Sequence, residues 1–523
     1  MIVSRSPYSK SGMRARALLL TSLLAVAQAL CAGRARAACD ATAAIDIDTH
    51  STVRLERGYS GVNDFAGFPV EYWDHRFNEL AETVHYGWIR FPGGTDSDIY
   101  DWRTGEERQD WFDQFSGYAV GPGADLVEDV FGKGGARLIE AAERARELGC
   151  SLIVCANAFT DTPESIGEMA AYARANHIPV LAWELANEPY FFKGFFANST
   201  AYLDRMKCFR DKIKAADPDA VVAIFARDPG NSNFNNGWDA GIAAYPDKYW
   251  DEVTFHYYPP FSSGGIDQWM ADECGVLAMR STSLVTDHLE TLSPPGTKIL
   301  LTEFDASLPV EHSTGAASVT DGTLWGGIYV AEFIMRMSTL PSVAHVGPHS
   351  IVNVSGVQST KNNYAAVQKA AMLGVPIDTT KLDFGFYIEA QANALSVLNR
   401  VVNHAERSNA TTVTGGVTVP ATGTPDGRTP ALYAMSYTSE DRKLAVVITN
   451  KSGTPHLVHI RVNGARSYGP FPAEFVSSSL PGAKNSPTDP FAVTVQHAWF
   501  YNEVTVPPYS VIHVDIHRDR DND

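Results

Sequence analysis

Cysteine is scarce in this chain, with six residues among 523. Five of them lie beyond residue 37: Cys39, Cys150, Cys155, Cys208 and Cys274. So low a content excludes a small scaffold held together by disulfides, and the spacing resembles no zinc site. An exported protein could join some of these cysteines in a disulfide, but their odd number leaves at least one unpaired within a monomer.

Three familiar catalytic patterns are also missing. The sequence contains no His-Glu-x-x-His, no Gly-x-Ser-x-Gly and no Gly-x-Gly-x-x-Gly. Their absence argues against a zinc protease, a serine hydrolase of the α/β type and a dinucleotide-dependent enzyme. We therefore expect neither a metal nor a cofactor.

Basic residues are in the minority. The chain has 42 Lys and Arg against 60 Asp and Glu, which gives a formal net charge of −18. Loss of residues 1–37 would make the charge more negative, because that segment has basic residues and no acidic ones. A chain this acidic disfavours nucleic acid and other polyanionic partners.

Long apolar runs are confined to the N-terminus. A basic region with Arg5, Lys10, Arg14 and Arg16 precedes an apolar stretch over residues 17–32 and the sequence Ala35-Arg36-Ala37. This arrangement predicts a secretory signal peptide over residues 1–37, and hence a secreted or periplasmic protein. An uncleaved anchor is the alternative, but the stretch falls short of the roughly 20 residues that a spanning helix needs. No other segment is suited to membrane insertion.

Between about residues 85 and 405, short apolar segments alternate with amphipathic ones, as in βα units around a parallel sheet. Eight segments are predicted as strands: 59–63, 84–91, 151–158, 180–186, 220–226, 253–258, 298–304 and 343–352. Helices are predicted over residues 133–148, from Thr162 onward, and over 199–216, 325–340 and 389–404. The pattern predicts an α/β fold, a (β/α)8 TIM barrel over residues 58–405.

Beyond residue 405 the pattern changes to strands alone, with turns rich in Gly, Pro, Ser and Asn. The predicted strands are 431–437, 443–449, 456–462, 491–495 and 511–516. They indicate a C-terminal β-sandwich domain over residues 406–523. The N-terminal segment 38–57 could pair with this sandwich and supply one or two of its outer strands.

Two glutamates end the segments predicted as barrel strands 4 and 7. Glu188 follows the apolar run that begins at Val180, and Glu303 closes the run that begins at Lys298. The carboxyl ends of barrel strands meet at one mouth, where chemistry is built. Cleavage of a glycosidic bond uses two facing carboxyl groups, one that protonates the leaving oxygen and one that attacks the anomeric carbon. Glu188 and Glu303 are therefore the predicted catalytic pair.

The residues around this pair resemble a known group of enzymes. Trp-Glu-Leu-Ala-Asn-Glu-Pro at 183–189 is similar to the acid/base motif of the retaining clan A glycoside hydrolases, and Thr302-Glu303-Phe304 is similar to their nucleophile motif. The resemblance implies that Glu188 is the general acid/base and Glu303 the nucleophile. It also implies that Arg90 keeps the nucleophile ionised.

Further site residues follow from the same resemblance. His256 and Tyr258 are similar to the strand-6 residues beside the nucleophile, and Asn187 would bind the sugar 2-hydroxyl. Taken singly, Arg90, His256 and Tyr258 would also fit purely structural roles. Asn157 and His349 stand at the ends of predicted strands 3 and 8, so they are additional candidates for sugar contacts.

Within the clan, two families share features with this chain. Ile-Arg-Phe-Pro-Gly-Gly at 89–94 and Tyr-Asp-Trp-Arg at 100–103 most resemble the α-L-arabinofuranosidases, which also carry a C-terminal β-sandwich. However, the sequence Thr302-Glu303-Phe304-Asp305 lacks the Glu-Trp common after their nucleophile. Gly93-Gly94-Thr95 and Asn187-Glu188-Pro189 look equally like the β-glucuronidase and heparanase family.

The sequence thus predicts a secreted retaining glycoside hydrolase acting on a carbohydrate substrate, with neutral plant cell-wall glycans as the preferred class. A uronide hydrolase of the β-glucuronidase or heparanase type is the alternative. An alternative of another class is a non-catalytic carbohydrate-binding protein, which could lose either glutamate without cost. Linkage, exo or endo action and oligomeric state remain open.

Overall fold

The computed structural model describes residues 41–64, 74–108, 110, 135–192, 194–227, 237–259, 264–305, 319–351, 357–359 and 385–516. The segment predicted as a signal peptide lies outside these ranges. Within them, no helix is both long enough and apolar enough to cross a membrane.

The first part of the chain contains one long strand and a set of short parallel strands. These are β1 (Ala41–Arg54), β2 (Val62–Asn63), β3 (Trp88–Phe91), β4 (Tyr100–Asp101), β5 (Glu106–Glu107), β6 (Ser151–Ala156), β7 (Val180–Leu185), β8 (Val222–Phe225), β9 (Glu252–Tyr257), β10 (Lys298–Phe304), β11 (Val343–Val346), β12 (Val357–Ser359) and β13 (Phe386–Ile388).

Eight of these strands form a parallel barrel in the order β2, β3, β6, β7, β8, β9, β10, β11. The two ends of the sheet meet before β2, where Ser60 forms a parallel bridge with Val346. The Gly61 N–H donates to the Val346 carbonyl at 3.0 Å across the same junction. The (β/α)8 prediction is therefore confirmed, and each barrel strand overlaps a predicted segment.

Helices cover the outside of the barrel. They are α1 (His75–Glu82), α2 (Leu138–Glu147), α3 (Pro163–Ala175), α4 (Ser199–Ala216), α5 (Trp238–Ala244), α6 (Ile266–Met279), α7 (Ser283–Thr286), α8 (Leu324–Met337) and α9 (Ala390–Val402), with 3₁₀ turns at Thr95–Ile99, Pro189–Phe191 and Leu289–Thr291. The predicted start of α3 is confirmed, because the Thr162 side chain accepts from the Ser165 N–H and Pro163 takes the first helical position.

Inward-facing side chains fill the barrel in layers. The apolar layer consists of Trp88, Ile153, Ala182, Ala223, Leu300 and Ala344. Side chains on a strand alternate between its two faces, so the residue two positions later also points inward. That next layer contains Arg90, Cys155, Glu184 and Thr302, all buried. The barrel therefore holds a buried polar layer toward the carboxyl ends of its strands.

The Trp88 ring needs space inside the barrel, and two glycines provide it. A Cβ added at Gly61 would lie 2.0 Å from the indole, and one at Gly347 would lie 2.5 Å from it. Any side chain at these positions would force the indole to move.

The last part of the chain is built from strands, as predicted. They are β14 (Ala405–Gly415), β15 (Thr418–Pro420), β16 (Arg428–Pro430), β17 (Leu432–Ser439), β18 (Leu444–Asn450), β19 (His456–Val462), β20 (Ala465–Arg466), β21 (Phe471–Ser477), β22 (Gln496–Phe500), β23 (Val504–Val506) and β24 (Ser510–Ile516). Most join one ten-stranded sheet, in which β19, β1, β14, β17, β18, β24, β21 and β22 are successive neighbours. Strands from both ends of this sheet contribute side chains to one apolar core, so the sheet folds over itself as in a sandwich.

Two details of this domain differ from the prediction. The segment 491–495 was predicted as a strand, but it is a turn with Phe491 78% exposed, and the strand begins at Gln496. The N-terminal strand β1 lies between β14 and β19 inside the sheet, and not at its edge. Its alternating Ala43, Ile45 and Ile47 are buried in the sandwich core, which explains the inner position.

A buried ion cluster connects the barrel to the sheet. Glu332 of α8 accepts from Arg336 on the same helix at 2.8 Å, from Thr449 of β18 at 2.8 Å and from Lys451 at 2.5 Å. Glu332 and Lys451 are both at most 1% exposed. Burial alone would raise the pKa of Glu332, but Lys451 and Arg336 hold it below its ordinary value.

The described cysteines carry free thiols. Cys150, Cys155 and Cys274 are buried, and Cys208 is exposed. Burial raises the pKa of both Cys150 and Cys274 to about 12. These buried thiols are therefore protonated at neutral pH.

Candidate active site at the mouth of the barrel

The two predicted catalytic glutamates lie at the same end of the barrel. Glu303 is the sixth residue of β10, whereas Glu188 follows β7 in a left-handed conformation with φ 42°. His256 of β9 contacts both of them. Its Nδ1 is 3.0 Å from Glu188 Oε1 and 3.5 Å from Glu303 Oε2. The barrel thus brings together two carboxyl groups that are far apart in sequence.

Glu303 is the more buried of the two, with 9% of its side chain exposed. Its Oε1 accepts from Arg90 Nη1 at 2.6 Å, and its Oε2 accepts from the Tyr258 hydroxyl at 2.7 Å. Burial alone would raise the pKa of this carboxyl. Electrostatic attraction by His256, His349 and Arg90, together with the hydrogen bond from Tyr258, outweighs burial, so the pKa of the group lies well below its ordinary value. Glu303 is therefore held as a carboxylate.

Glu188 is more open, with 20% of its side chain exposed. Its Oε1 accepts a hydrogen bond from the Tyr190 hydroxyl at 2.8 Å and faces His256 Nδ1. Tyr190 belongs to the 3₁₀ turn that begins directly after Glu188. The turn therefore orients the carboxyl group that starts it.

Arg90 is fully buried and connects several of the polar groups. Besides Glu303, it donates from Nε to Glu184 Oε2 at 2.5 Å and from Nη2 to Asn187 Oδ1 at 2.8 Å. It also donates from Nη1 to Asn63 Oδ1 at 3.1 Å. Burial lowers the pKa of the guanidinium, but the neighbouring acidic groups, Glu184 first, raise it further than burial lowers it. The cation is thus held permanently between two carboxylates.

Glu184 and Thr302 also belong to this network, although neither was predicted as a site residue. Glu184 is completely buried, and its Oε1 accepts from Thr254 and Thr302, each at 2.6 Å. The sequence does contain a signal for Glu184. Side chains along β7 alternate between the barrel interior and the surrounding helices, and Ala182 and Glu184 both face the interior. A carboxylate at an inward position of a buried strand needs a partner, and that requirement could have identified it.

Asn187 lies against Arg90 and the loop that follows β3. Its backbone N–H donates to Asp98 Oδ1 at 3.0 Å, and its side-chain oxygen accepts from Arg90. The residue is 2% exposed. Its contacts fix its side chain beside the carboxyl pair.

The remaining two candidates differ in their surroundings. Asn157 donates to the Tyr100 carbonyl and to Thr160 Oγ1, and its side-chain oxygen accepts from the Phe159 and Thr160 N–H groups. These bonds brace the loop after β6 and engage the whole amide. The described contacts do not bring Asn157 to the carboxyl pair, so its part in sugar binding stays a prediction.

His349 lies at the mouth of the barrel with the pair. Its ring centroid is 6.5 Å from that of Tyr258. Burial lowers the pKa of this imidazole, whereas Glu303 and Glu188 counteract that effect. Among the described residues, no group of three or more His, Cys, Asp or Glu side chains is arranged to hold a metal ion.

Comparison with known proteins relates this architecture to solved structures. No family model and no curated protein matches the sequence. A GH51 arabinofuranosidase from Xanthomonas axonopodis pv. citri is similar over 91% of this chain and 100% of its own, with a TM-score of 0.66 and 14% identity. The chain has the fold of these arabinofuranosidases.

Two further arabinofuranosidase structures agree. An α-L-arabinofuranosidase from Thermotoga maritima, solved with arabinose, covers 91% of this chain and 100% of its own at 17% identity and a TM-score of 0.63. A family 51 α-L-arabinofuranosidase from Bifidobacterium longum covers 91% and 99% at 14% identity and a TM-score of 0.64. At these identities the likeness concerns the arabinofuranosidase fold, a barrel with a β-rich C-terminal domain.

Proposed function

We propose that the protein is a secreted retaining glycoside hydrolase, with Glu188 as general acid/base and Glu303 as nucleophile. The observation that carries the proposal is the contact of both carboxyl groups with His256 Nδ1 at the mouth of a closed barrel. Glu188 Oε1 and Glu303 Oε2 lie 3.0 and 3.5 Å from this one nitrogen, so the distance between the two oxygens cannot exceed the sum of these values. Such a spacing favours retention, for which the carboxyl groups lie about 5 to 5.5 Å apart.

The different surroundings of the two glutamates suit two different roles. Glu303, ionised and fixed by Arg90 and Tyr258, would attack the anomeric carbon and form a glycosyl-enzyme. Glu188, which is more exposed, would protonate the departing oxygen and then take a proton from the water that releases the sugar. Each step moves one proton through Glu188 and none through Glu303.

The charges near the mouth favour a neutral substrate. Arg90 is committed to Glu184, Glu303 and Asn187. Arg103 donates to Glu168 and lies over the Trp102 ring at 4.6 Å. Arg90 is thereby unavailable to a carboxylated or sulfated sugar, Arg103 already faces a carboxylate, and the chain as a whole is acidic. We therefore infer that the substrates are neutral pentose- or hexose-containing glycans of the plant cell-wall type.

A substrate panel tests this choice. We expect sugar release from at least one of arabinoxylan, arabinan and β-glucan, or from aryl arabinofuranosides, xylosides and glucosides. Heparan-type polymers and aryl glucuronides should be inert, and reducing-sugar and aryl-release assays measure both sets. Release from the acidic set alone would establish the uronide alternative and leave the two-glutamate mechanism in place.

Arg227 is the specific feature that keeps the uronide alternative open. It lies two residues after β8, at the end of the barrel where Glu188 and Glu303 lie, and so offers a further cation for an acidic sugar. A non-catalytic carbohydrate-binding protein would instead bind glycans on this panel and release nothing. Affinity electrophoresis beside the hydrolysis assays separates binding from turnover.

The low pKa of Glu303 predicts a specific pH dependence. Because the pKa is depressed, the ionised nucleophile is present above it and is lost as the pH falls through it. Replacing Tyr258 by Phe removes a donor to the charged form and should raise the pKa of Glu303. The acidic limb of the kcat/KM profile should move to higher pH by about one unit, since a hydrogen bond to a charged group contributes about 1.5 kcal/mol or more.

Tyr257 provides the matched control for this experiment. It precedes Tyr258, but its ring stacks on Phe333 of α8 with centroids 5.9 Å apart, on the opposite face of the strand. The Tyr257→Phe variant should leave the acidic limb in place. An acidic limb at the same pH in the wild type and in Tyr258→Phe would show that this hydroxyl does not hold Glu303 ionised.

A further inference from the structure

Glu184 is connected to both predicted catalytic glutamates through residues that it shares with them. Its Oε2 accepts from Arg90, which in turn binds Glu303. Its Oε1 accepts from Thr302, whose Oγ1 is 3.3 Å from His256 Nε2. One buried carboxylate is therefore linked to Glu303 through a guanidinium, and to Glu188 through a hydroxyl and an imidazole.

The positions of the protons follow from these contacts. Two oxygens 2.6 Å apart, as in Thr302 and Glu184, require a hydrogen between them, and a carboxylate paired with Arg90 has none to give. The Thr302 hydroxyl must therefore donate to Glu184. Thr254 donates to the same oxygen at 2.6 Å for the same reason, so neither threonine has a hydrogen left for the 3.0 Å contact between the two hydroxyls. The only hydrogen of Thr302 is therefore used, and toward His256 it can only accept. Consequently His256 carries a proton on Nε2.

This tautomer determines what lies between His256 and Glu188. If the ring is neutral with its proton on Nε2, Nδ1 presents a lone pair to Glu188 Oε1 at 3.0 Å. That contact is attractive only if one proton lies between the two atoms, on the carboxyl group or on the ring. The Tyr190 hydroxyl donates to the same oxygen and does not replace that proton.

We propose that Glu184 is a positioning residue that acts through Thr302 and His256 to place the proton which Glu188 delivers to the leaving group. The inference rests on the proposed function. Through Arg90, the same carboxylate fixes the nucleophile. Thr302 carries the link to the acid, and Arg90 carries the link to the nucleophile, so the two halves can be tested separately.

Thr302 and Thr254 form a matched pair for this test. Both are completely buried in the polar layer, and both donate to Glu184 Oε1 at 2.6 Å. Only Thr302 contacts His256. Valine has the same shape in both places, so Thr302→Val and Thr254→Val each remove one bond to Glu184 together with the 3.0 Å contact between the two hydroxyls. Only the first also removes the acceptor for His256 Nε2.

The readout is the dependence of kcat/KM on the leaving group, measured on aryl glycosides of the sugar that the wild type accepts. A dinitrophenyl group leaves without an acid, but an unsubstituted phenyl group needs one. General acid catalysis contributes about 10²- to 10⁴-fold. Thr302→Val should therefore lower the phenyl-to-dinitrophenyl ratio by about tenfold or more, and Thr302→Ser should restore it. Thr254→Val should reduce both substrates by one common factor.

Equal ratios in the two valine variants would overturn the proposal. A second measurement does not depend on activity: the nitrogen signals of the His256 imidazole in ¹⁵N-histidine-labelled wild type, assigned by their loss in folded His256→Gln. A protonated Nε2 is expected, and a ring protonated on Nδ1 alone would contradict the scheme. By contrast, a wild type that hydrolyses nothing on the substrate panel would remove the proposed function and leave the tautomer assignment intact.

Discussion

Replacing Glu303 by glutamine is expected to lower turnover by roughly 10⁴-fold or more, because an amide cannot form the glycosyl-enzyme. The substitution keeps the shape of the side chain, and Arg90 retains its contact with Glu184. We therefore expect a folded protein without activity. Steady-state kinetics together with circular dichroism and thermal unfolding would measure both properties.

Glu188→Ala should behave differently, which makes the two variants informative together. Substrates with good leaving groups should still glycosylate the enzyme, since that step no longer depends on an acid. Hydrolysis of the intermediate should be slow, and azide should restore turnover because it needs no general base. The recovered product should be a glycosyl azide with the configuration of the substrate.

Glu168→Ala is the control for these variants. Glu168 lies on α3 with 68% of its side chain exposed and pairs only with Arg103 among the described ion pairs. It should retain wild-type kinetics. Ordinary activity in Glu303→Gln, or an absence of azide rescue in Glu188→Ala with activated substrates, would contradict the assigned roles.

The barrel was predictable because its strands are buried on both faces and read as short apolar runs between helical segments. The position of Glu188 and Glu303 at the mouth of the barrel was predictable for a related reason. A carboxylate that ends such a run lies at the mouth of the barrel, where it must be paired or functional. Arg90, His256 and Tyr258 were supplied by resemblance, and the structure places all three in contact with the pair or beside it.

Other features depend on contacts that sequence patterns do not contain. Asn157 ends a strand as expected, but its amide is engaged by the loop that follows. Phe491 lies in an apolar segment of strand-like composition, yet the chain turns there and leaves its ring exposed. The inner position of β1 in the sheet depends on its pairing with Ala405–Gly415, more than 350 residues later. The alternation of buried and exposed residues along a strand does not specify which strand it pairs with.

A second large effect is expected on stability, from the ion cluster between α8 and the C-terminal sheet. Lys451→Met would remove the cation that lies 2.5 Å from Glu332 and leave a buried carboxylate with Arg336 as its cationic partner and the Thr449 hydroxyl as a neutral donor. Breaking one partner of a buried pair typically costs about 3 to 5 kcal/mol. The contact with Arg336 remains, so we expect a loss of about 3 kcal/mol in the free energy of unfolding. Urea unfolding followed by tryptophan fluorescence would measure it.

Two further variants show whether this loss comes from the buried charge. Lys443→Met removes a lysine that directly precedes β18, is 81% exposed and pairs with Asp441, so the urea midpoint should hardly move. Glu332→Gln combined with Lys451→Met removes the charges of Glu332 and Lys451 together. Arg336 keeps its charge, but it is 19% exposed and lies over the Tyr433 ring, so the double variant should recover much of the lost stability. A double variant no more stable than Lys451→Met would assign the loss to packing of the lysine chain instead.

The pH dependence of that loss gives an independent check. The pKa of Glu332 is depressed in the folded protein, so the stability it contributes is present above the ordinary glutamate pKa and disappears as the pH falls through the folded value. The difference between wild type and Lys451→Met should therefore be largest near neutral pH and should shrink in acid, as Glu332 becomes protonated in both proteins. A difference that stays constant over this range would mean that the Lys451 ammonium does not stabilise the fold through the Glu332 carboxylate.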